Sequence, residues 1–306
     1  MSNGMKKITM LLLAGFLAVF FAPRAEAVKF AVMGDTKDFV AGNEAGAFQQ
    51  AVAKIKKKKP AAVFVVGDLI NDCTDDAACQ TYWNNWKSAA GPLLKKTYPV
   101  MGNHDRVNVS GEAADLLWQE VFNLPTNGPA GFSELTYSFN KGNSHFVVLN
   151  SSKPQYNLIN AVQREWLEQD LALNRKKKHQ FVFFHAPAYP ASLHIGSSLD
   201  AYPTERDALW EILDRHKVSA VFVGHEHFFN RRLINSSIFS GAANSIYQFT
   251  VGRTDVTETY PAPQSGMSEY YSLEQSFAIV NAKKKNVKID LYSTGGKLLN
   301  SFRYRK

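Results

Sequence analysis

Short apolar runs that each end in a small group of polar residues recur along this chain. The clearest example runs from Tyr98 to Met101 and is followed at once by Gly102-Asn103-His104-Asp105. Glycine permits the tight turn that such a run needs at its end. Because open α/β sheets bind ligands outside the carboxyl ends of their strands, we expect these polar side chains to lie at a binding edge.

Four more apolar runs end in a similar way. They are followed by Gly34-Asp35, Gly67-Asp68, His185 and Gly224-His225-Glu226-His227. The early runs alternate with helical stretches, and their near-continuous apolar character predicts a largely parallel sheet that is covered on both faces. The carboxyl ends of parallel strands share one edge of a sheet, so the polar groups that follow them are expected to converge.

Carboxylate, amide oxygen and imidazole together form a ligand set for a divalent or trivalent metal. His225 and His227 are separated by one residue and can face two neighbouring ions, while a single aspartate can offer one oxygen to each. Two ions ~3.5–4 Å apart stabilise the attacking and leaving oxygens of a phosphoryl displacement. Four of the eight histidines follow predicted strands, which chance placement explains poorly.

The five blocks, in this order and each after a predicted strand, resemble those of the calcineurin-like metallophosphoesterases over residues 28 to about 240. The resemblance implies a four-layer α/β/β/α sandwich with a two-metal centre at the strand ends. It implies that Asp68 bridges the two ions. It also assigns the remaining ligands, with Asn103, His185 and His225 on one ion and Asp35 and His227 on the other.

The same resemblance implies an activity, the hydrolysis of phosphate mono- or diesters with Mn, Fe, Zn or Mg as the metal. A hydroxide bound to the metals would attack the phosphorus, and His104 would lie near the leaving-group oxygen. Asp105 would orient the imidazole of His104. This fits general chemistry, because a positioned acid helps an alkoxide to leave and a second carboxylate sets the tautomer of an imidazole.

The first block departs from the common family pattern, Asp-x-His, in which the histidine is a metal ligand. This chain has Asp35-Thr36-Lys37 instead, and an ammonium group cannot coordinate a metal. The ion there is expected to be more exposed to water, more weakly bound, or completed by Asn71 or Asp72. The purple acid phosphatase branch also lacks this histidine but has a tyrosine where this chain has Asn71, so an iron–tyrosinate site is not expected.

Two basic residues are candidates for binding the substrate. Lys37 could place a positive charge beside a substrate phosphate, or it could be a solvated loop lysine. Arg232 follows the last metal block and could meet the phosphate or cap the turn.

The departure at Lys37 also leaves a second function open, that of a binding or scaffolding protein of the same fold with one metal or none. Two loops, residues 188–202 and 253–274, are expected to set the choice of substrate.

The first 27 residues have the layout of a secretory signal peptide, with Met5-Lys6-Lys7, an apolar run from Ile8 to Ala22, and the small-residue site Ala25-Glu26-Ala27. We expect cleavage after Ala27, a metallophosphoesterase domain over residues 28–306, and an exported protein that is periplasmic or secreted. The apolar run is short for a membrane span of ~20 residues, and no span is expected after cleavage.

Charge and cysteine content narrow the range of partners. The formal net charge is +8, and the excess lies in lysine runs that end predicted helices, where cations suit the helix dipole, or that connect strands. No aromatic residues are interleaved with these runs, so no nucleic-acid partner is expected. The expected partner is a small phosphorylated substrate, and the chain is expected to be a monomer.

Cys73 and Cys79 are the only cysteines and are expected to form a disulfide.

Overall fold

The computed structural model describes residue 1 and residues 27–43, 46–73, 75–106 and 111–306. The predicted signal peptide lies almost entirely outside the described residues, because residues 2–26 are not among them. Within the described ranges the chain forms thirteen β-strands, five α-helices and two short 3₁₀ helices, at Gly91–Lys96 and Leu199–Ala201. None of the helices in this part of the chain has both the length and the apolar character that crossing a membrane requires.

The strands and helices alternate in the first two thirds of the chain, and strands alone follow. The first part contains β1 (Val28–Met33), α1 (Ala47–Lys58), β2 (Ala62–Val65), α2 (Asp76–Ala90), β3 (Thr97–Pro99), α3 (Gly111–Val121), β4 (Tyr137–Lys141) and β5 (Ser144–Val148). The next part contains α4 (Ala161–Leu173), β6 (His179–Phe183), α5 (Pro203–Arg215), β7 (Ala220–Val223) and β8 (Phe229–Ile234). The last part contains β9 (Ile246–Val251), β10 (Tyr270–Ser272), β11 (Ser276–Lys283), β12 (Asn286–Ser293) and β13 (Leu298–Arg305).

Two mixed sheets form the centre of the fold. The first has the strand order β13-β12-β11-β1-β2-β3, with β1 to β3 parallel and β11 to β13 antiparallel. The second has the order β10-β8-β9-β7-β6-β5-β4, with β5, β6, β7 and β9 parallel. The largely parallel character predicted from the apolar runs therefore holds for one group of strands in each sheet, and antiparallel strands extend both sheets.

An aromatic core joins the facing sides of the two sheets. The ring of Phe30 on β1 lies 5.0–6.1 Å from four phenylalanine rings of the second sheet, those of Phe146, Phe181, Phe183 and Phe222. Side chains of α1, α2 and α3 share a hydrophobic cluster with the first sheet, and those of α4 and α5 pack against the second. The predicted four-layer α/β/β/α sandwich is confirmed by this arrangement.

Replacing Phe30 with alanine is expected to lower the free energy of unfolding by about 3–5 kcal/mol, because the cavity would lie between the two sheets. Tyr271→Ala is the control, because this side chain is 45% exposed and its loss should change stability by about 0.5 kcal/mol or less. Urea unfolding followed by circular dichroism measures both values. Equal values for the two variants would show that Phe30 does not hold the sheets together.

Candidate metal centre

The candidate metal centre lies where parallel strands of both sheets end. Asp35 and Asp68 follow β1 and β2 of the first sheet, while His185 follows β6 and both His225 and His227 follow β7 of the second. These five side chains are buried, with at most 8% exposure. The two sheets therefore bring their polar strand ends together in one place.

Two overlapping groups of ligand atoms form there. An oxygen of Asp68 and ring nitrogens of His185 and His225 lie within 4.8 Å of one another, and the same holds for Asp35, Asp68 and His227. The Oδ1 atom of Asn103, which follows β3, lies 3.0 Å from His185 Nε2. The structure thus brings together all six residues that the sequence pattern offers as ligands, with Asp68 common to both groups.

The contacts of His185 show that a cation fits the first group. Its Nδ1 lies 2.8 Å from the carbonyl oxygen of Val66, so this nitrogen carries the proton of a neutral ring. The other nitrogen, Nε2, then faces Asn103 Oδ1 at 3.0 Å and Asp68 Oδ1 at 3.3 Å. Burial lowers the pKa of His185, which disfavours a second proton on the ring. Three electron-pair donors that face one another in this way are a suitable site for a metal ion.

The two buried carboxylates provide a second argument. Burial, and after it the negative charge of Asp68, raises the pKa of Asp35 well above its usual value. Burial opposes ionisation of Asp68 too, but the neighbouring His185 and His104 hold its pKa below the usual value. A cation that both carboxylates contact would remove the repulsion between them, as bound ions do in other sites.

Three of the six candidate ligands have a left-handed backbone. The φ angles are 52° at Asp35, 51° at Asp68 and 70° at His225, although none of these residues is glycine. Such a conformation costs about 1–3 kcal/mol and persists where the surroundings enforce it. The backbone amide of His225 donates to both carboxylate oxygens of Asp35, at 3.1 and 3.2 Å, which is one such constraint.

Glycines that precede the ligands lie against ligands from other strands. A Cβ atom at Gly102 would lie 2.2 Å from Asp68 Oδ1, and one at Gly224 would lie 2.5 Å from Asp35 Oδ2. At Gly67 the neighbour is the ring of His185, and at Gly34 it is Val66 and the carbonyl oxygen of Val251. The four blocks thus begin with glycine because other strands approach the backbone too closely at these points to leave room for a side chain.

His104 contacts Asp72 and not Asp105, which differs from the expectation. Its Nδ1 lies 2.6 Å from Asp72 Oδ1, so the carboxylate holds the proton on this nitrogen and turns Nε2 away from itself. The Nε2 atom lies 2.7 Å from the ammonium of Lys37 and 3.9 Å from Asp68 Oδ2. Asp72, and not Asp105, is therefore placed to orient the imidazole beside the centre.

Asp105 has a structural position beneath the centre. Its carboxylate accepts hydrogen bonds from the backbone amides of Leu69, Ile70 and Gly102, at 2.8–3.2 Å. Burial, followed by the charge of Asp68, raises the pKa of Asp105 to about 8. The contacts show why it cannot reach His104: both oxygens are used to join the turns that follow β2 and β3.

The predicted disulfide between Cys73 and Cys79 is present, with the two Cα atoms 5.2 Å apart. It connects the residue after Asp72 to the first turn of α2. The side chain of Asp75 caps the same helix by accepting a hydrogen bond from the amide of Ala78 at 2.8 Å. The segment that carries Asp72 is thus attached to α2 close to His104.

Lys37 reaches the centre but contributes no ligand. Its ammonium contacts His104, and its positive charge adds to the effect of burial in lowering the pKa of His227 to about 3. Asp72 belongs to neither group of ligand atoms, and Asn71 Oδ1 accepts a hydrogen bond from the amide of Asp72. Neither of these two residues therefore replaces the missing histidine ligand in this structure.

Arg232 braces a loop, although the sequence offered it as a contact for the substrate. Its guanidinium donates to the backbone carbonyl oxygens of Pro190 at 2.9 Å and Tyr189 at 3.4 Å. Glu226, which the sequence analysis left without a role, holds the next two residues of that loop by accepting from their amides. Burial raises the pKa of Glu226 to about 7. The contacts of Arg232 and Glu226 therefore position residues 189–192.

Two loops bring further groups to the centre. The ring of His194 stacks on that of His225 with centroids 3.9 Å apart, and its Nε2 lies 2.7 Å from Tyr260 Oη. The ring of Tyr260 lies 4.2 Å from that of His227. Sequence reasoning missed Tyr260, because no strand end or motif adjoins it. Its position follows from the packing of residues 253–274 against residues 188–202.

Comparison with known proteins agrees with this geometry. Residues 28–229 match the family described as calcineurin-like phosphoesterase, and the chain belongs to that family. Purple acid phosphatase 23 of Arabidopsis thaliana is 26% identical over 221 residues, which is 64% of this chain and 45% of the relative. A 3′,5′-cyclic-nucleotide phosphodiesterase of Nostoc sp. is 27% identical over 184 residues, which is 59% of this chain and 62% of the relative.

Solved structures show the same fold. The purple acid phosphatase PPD1 of yellow lupin (Lupinus luteus) superposes with a TM-score of 0.76 at 16% identity, covering 92% of this chain and 54% of that one. GAP50 of Plasmodium superposes with a TM-score of 0.66 at 14% identity, covering 91% of this chain and 89% of that one. The chain spans about half of the length of the plant purple acid phosphatase whose sequence it matches.

Gly102→Ala is expected to abolish tight metal binding, because its Cβ would lie 2.2 Å from Asp68 Oδ1 and would displace the shared carboxylate. Gly295→Ala is the matched control, since a Cβ there meets no atom closer than 3.8 Å. Both variants are loaded with metal, dialysed and measured for metal content by mass spectrometry. A full metal complement in Gly102→Ala would mean that Asp68 is not a ligand.

Lys37→His is expected to strengthen binding at the group formed by Asp35, Asp68 and His227, because an imidazole replaces an ammonium that repels cations. We expect at least about a tenfold gain in affinity for the weaker ion, measured by calorimetric titration with Zn²⁺ and Mn²⁺. Lys37→Met removes the charge without adding a ligand and separates the two effects. Equal metal affinity in wild type and both variants would show that the side chain at position 37 does not affect metal binding.

Proposed function

We propose that this chain hydrolyses phosphate mono- or diesters with two metal ions. One ion would be held by Asn103, His185 and His225, the other by Asp35 and His227, and both by Asp68. The observation that carries the proposal is the buried Asp68 carboxylate, which belongs to both groups of ligand atoms at the strand ends. Membership of the phosphoesterase family and the similarity to phosphatases and a phosphodiesterase support this class of substrate.

The metals would supply Lewis acidity, activating a water and neutralising the charge of the phosphate. The residues beside them would handle the proton of the leaving group. Asp72 keeps the proton of His104 on Nδ1, and the ammonium of Lys37 lies on Nε2. An ester oxygen bound at this point would meet the ammonium of Lys37, which can donate a proton to the departing alkoxide. His104 Nε2, which carries no proton when Nδ1 does, would accept a hydrogen bond from that ammonium and hold it in place.

We also propose that residues 1–27 direct export to the periplasm or the medium and that residues 28–306 act as one metallophosphoesterase domain, as a monomer on small phosphorylated substrates. The signal-peptide layout supports export. The disulfide between Cys73 and Cys79 supports it as well, because such bonds persist mainly in oxidising compartments.

A second candidate is a binding or scaffolding protein with one metal or none. The ammonium of Lys37 at the position of a family ligand favours it, because this group opposes a cation nearby. GAP50, which has the same fold, is an anchor in the inner membrane complex of Plasmodium. A protein of this fold can therefore serve as a scaffold. This candidate gives no reason for the contact between Asp72 and His104 beside the centre.

Asn103→Ala tests the proposal, because it removes one ligand without adding a charge. We expect kcat/KM for p-nitrophenyl phosphate or bis(p-nitrophenyl) phosphate to fall about a hundredfold or more, by analogy with the loss seen when partners of metal ligands are removed. Protein reconstituted separately with Mn, Fe, Zn and Mg is assayed alongside the exposed control Asn123→Ala. Equal background turnover in wild type and Asn103→Ala, with less than one ion per chain, would favour the second candidate.

A further inference from the structure

A pocket of about 350 Å³ lies next to the candidate metal centre. The loop after β1 and the loop after β2 form two of its walls, and α2 forms the third. Its lining includes Phe39, Val40, Ile70, Tyr82 and Asn85, in addition to Lys37. None of the contacts described above for the metal centre uses the space inside it.

Lys37 connects this pocket to the metal centre. Its side chain lines the pocket, and its ammonium lies 2.7 Å from His104 Nε2, which is itself 3.9 Å from Asp68 Oδ2. If metal ions held by Asp68 bind the phosphate of an ester and its bridging oxygen lies near His104, the rest of the ester can extend past Lys37. The pocket then receives the alcohol part of the ester, which leaves when the ester is hydrolysed.

The lining of the pocket is suited to an uncharged aromatic group. Phe39 and Tyr82 offer rings, and Val40 offers aliphatic surface. Val40 is 62% exposed and Tyr82 is 42% exposed, so apolar surface lies open to solvent beside the centre. Aromatic ligands gain free energy by covering such surface and by packing against rings.

The charges of the pocket disfavour a second anionic group. Among the described residues that line it, Lys37 and Asp38 are the charged ones, and they have opposite signs. Lys37 is directed to His104, and Asp38 accepts hydrogen bonds from the amide and hydroxyl of Thr257 at 2.7 and 2.6 Å. A second phosphate in the pocket would thus have no cation of its own and would face a carboxylate.

We propose that this pocket binds the alcohol part of the substrate and selects phosphate esters of uncharged aromatic alcohols over small alkyl or multiply phosphorylated ones. This inference rests on the proposed function for the position of the phosphate. The amide groups of Asn71 and Asn85 in the lining can pair with polar atoms at the edge of the aromatic group.

The test compares 2-phenylethyl phosphate with ethyl phosphate, both esters of primary alcohols with similar leaving-group basicity. A difference between them therefore reports binding of the ring and not the reactivity of the ester. The corresponding phosphonates, which cannot be hydrolysed, are titrated calorimetrically into metal-loaded protein. We expect the phenylethyl compounds to bind about tenfold more tightly and to be hydrolysed with a kcat/KM higher by a similar factor.

Tyr82→Ala is the decisive variant, and Tyr271→Ala is its matched control, an exposed tyrosine on β10. Tyr82→Ala should reduce the preference for the phenyl group to about twofold and leave binding of ethylphosphonate unchanged. Val40→Trp, at an exposed position of the lining, should reduce the same preference by filling the pocket. The control variant should keep the preference of the wild type.

The outcomes separate this inference from the proposed function. Binding of the phosphonates with the expected preference, but no hydrolysis of either ester, would refute the proposed function and support the pocket. Hydrolysis of both esters without preference, or an equal effect of Tyr82→Ala on both phosphonates, would overturn the inference alone. Tighter binding of ethane-1,2-bisphosphonate than of 2-phenylethylphosphonate, or no binding of any phosphonate, would overturn it as well.

Discussion

The repulsion between two buried carboxylates is the constraint that organises this molecule. Asp35 and Asp68 stand at the ends of neighbouring parallel strands, and burial removes the water that would otherwise screen them. The fold keeps them together at a cost that includes left-handed backbone at both residues. Imidazoles supplied by the second sheet stay neutral because they are buried. A cation bound between the two carboxylates would offset their negative charge.

Lys37 changes this balance in a way that sets the chain apart from the common family pattern. An ammonium partly offsets the charge of Asp35 and Asp68, but it is a mobile charge at the end of a long side chain and not a ligand. Its contact with His104 joins the metal centre to the pocket beside α2. In the proposed reaction this one residue would affect the affinity for the second ion, the proton supply to the leaving group and the shape of the site.

That the candidate ligands lie together could be predicted because strand ends are local features and parallel strands share an edge. The partner of His104 was wrongly predicted as its neighbour Asp105, because the turns after β2 and β3, which bring Asp72 to His104 and turn Asp105 away, cannot be read from the sequence. Arg232 and Tyr260 depend on loop packing that no periodicity reports. The division of the strands into two sheets could be inferred only from the family resemblance. Strands from the end of the chain, β11 to β13, join β1 to β3 in the first sheet, and no sequence pattern predicts this pairing.

Each group of candidate ligands draws on both sheets, and this has a consequence for folding. Asp35, Asp68 and Asn103 follow strands of one sheet, while His185, His225 and His227 follow strands of the other. An ion bound here would act as a cross-link between the two halves of the sandwich, and its binding energy would add to the stability of the native state. Chelation would then weaken the contact between the sheets as well as the site, so the apoprotein should unfold at a lower temperature.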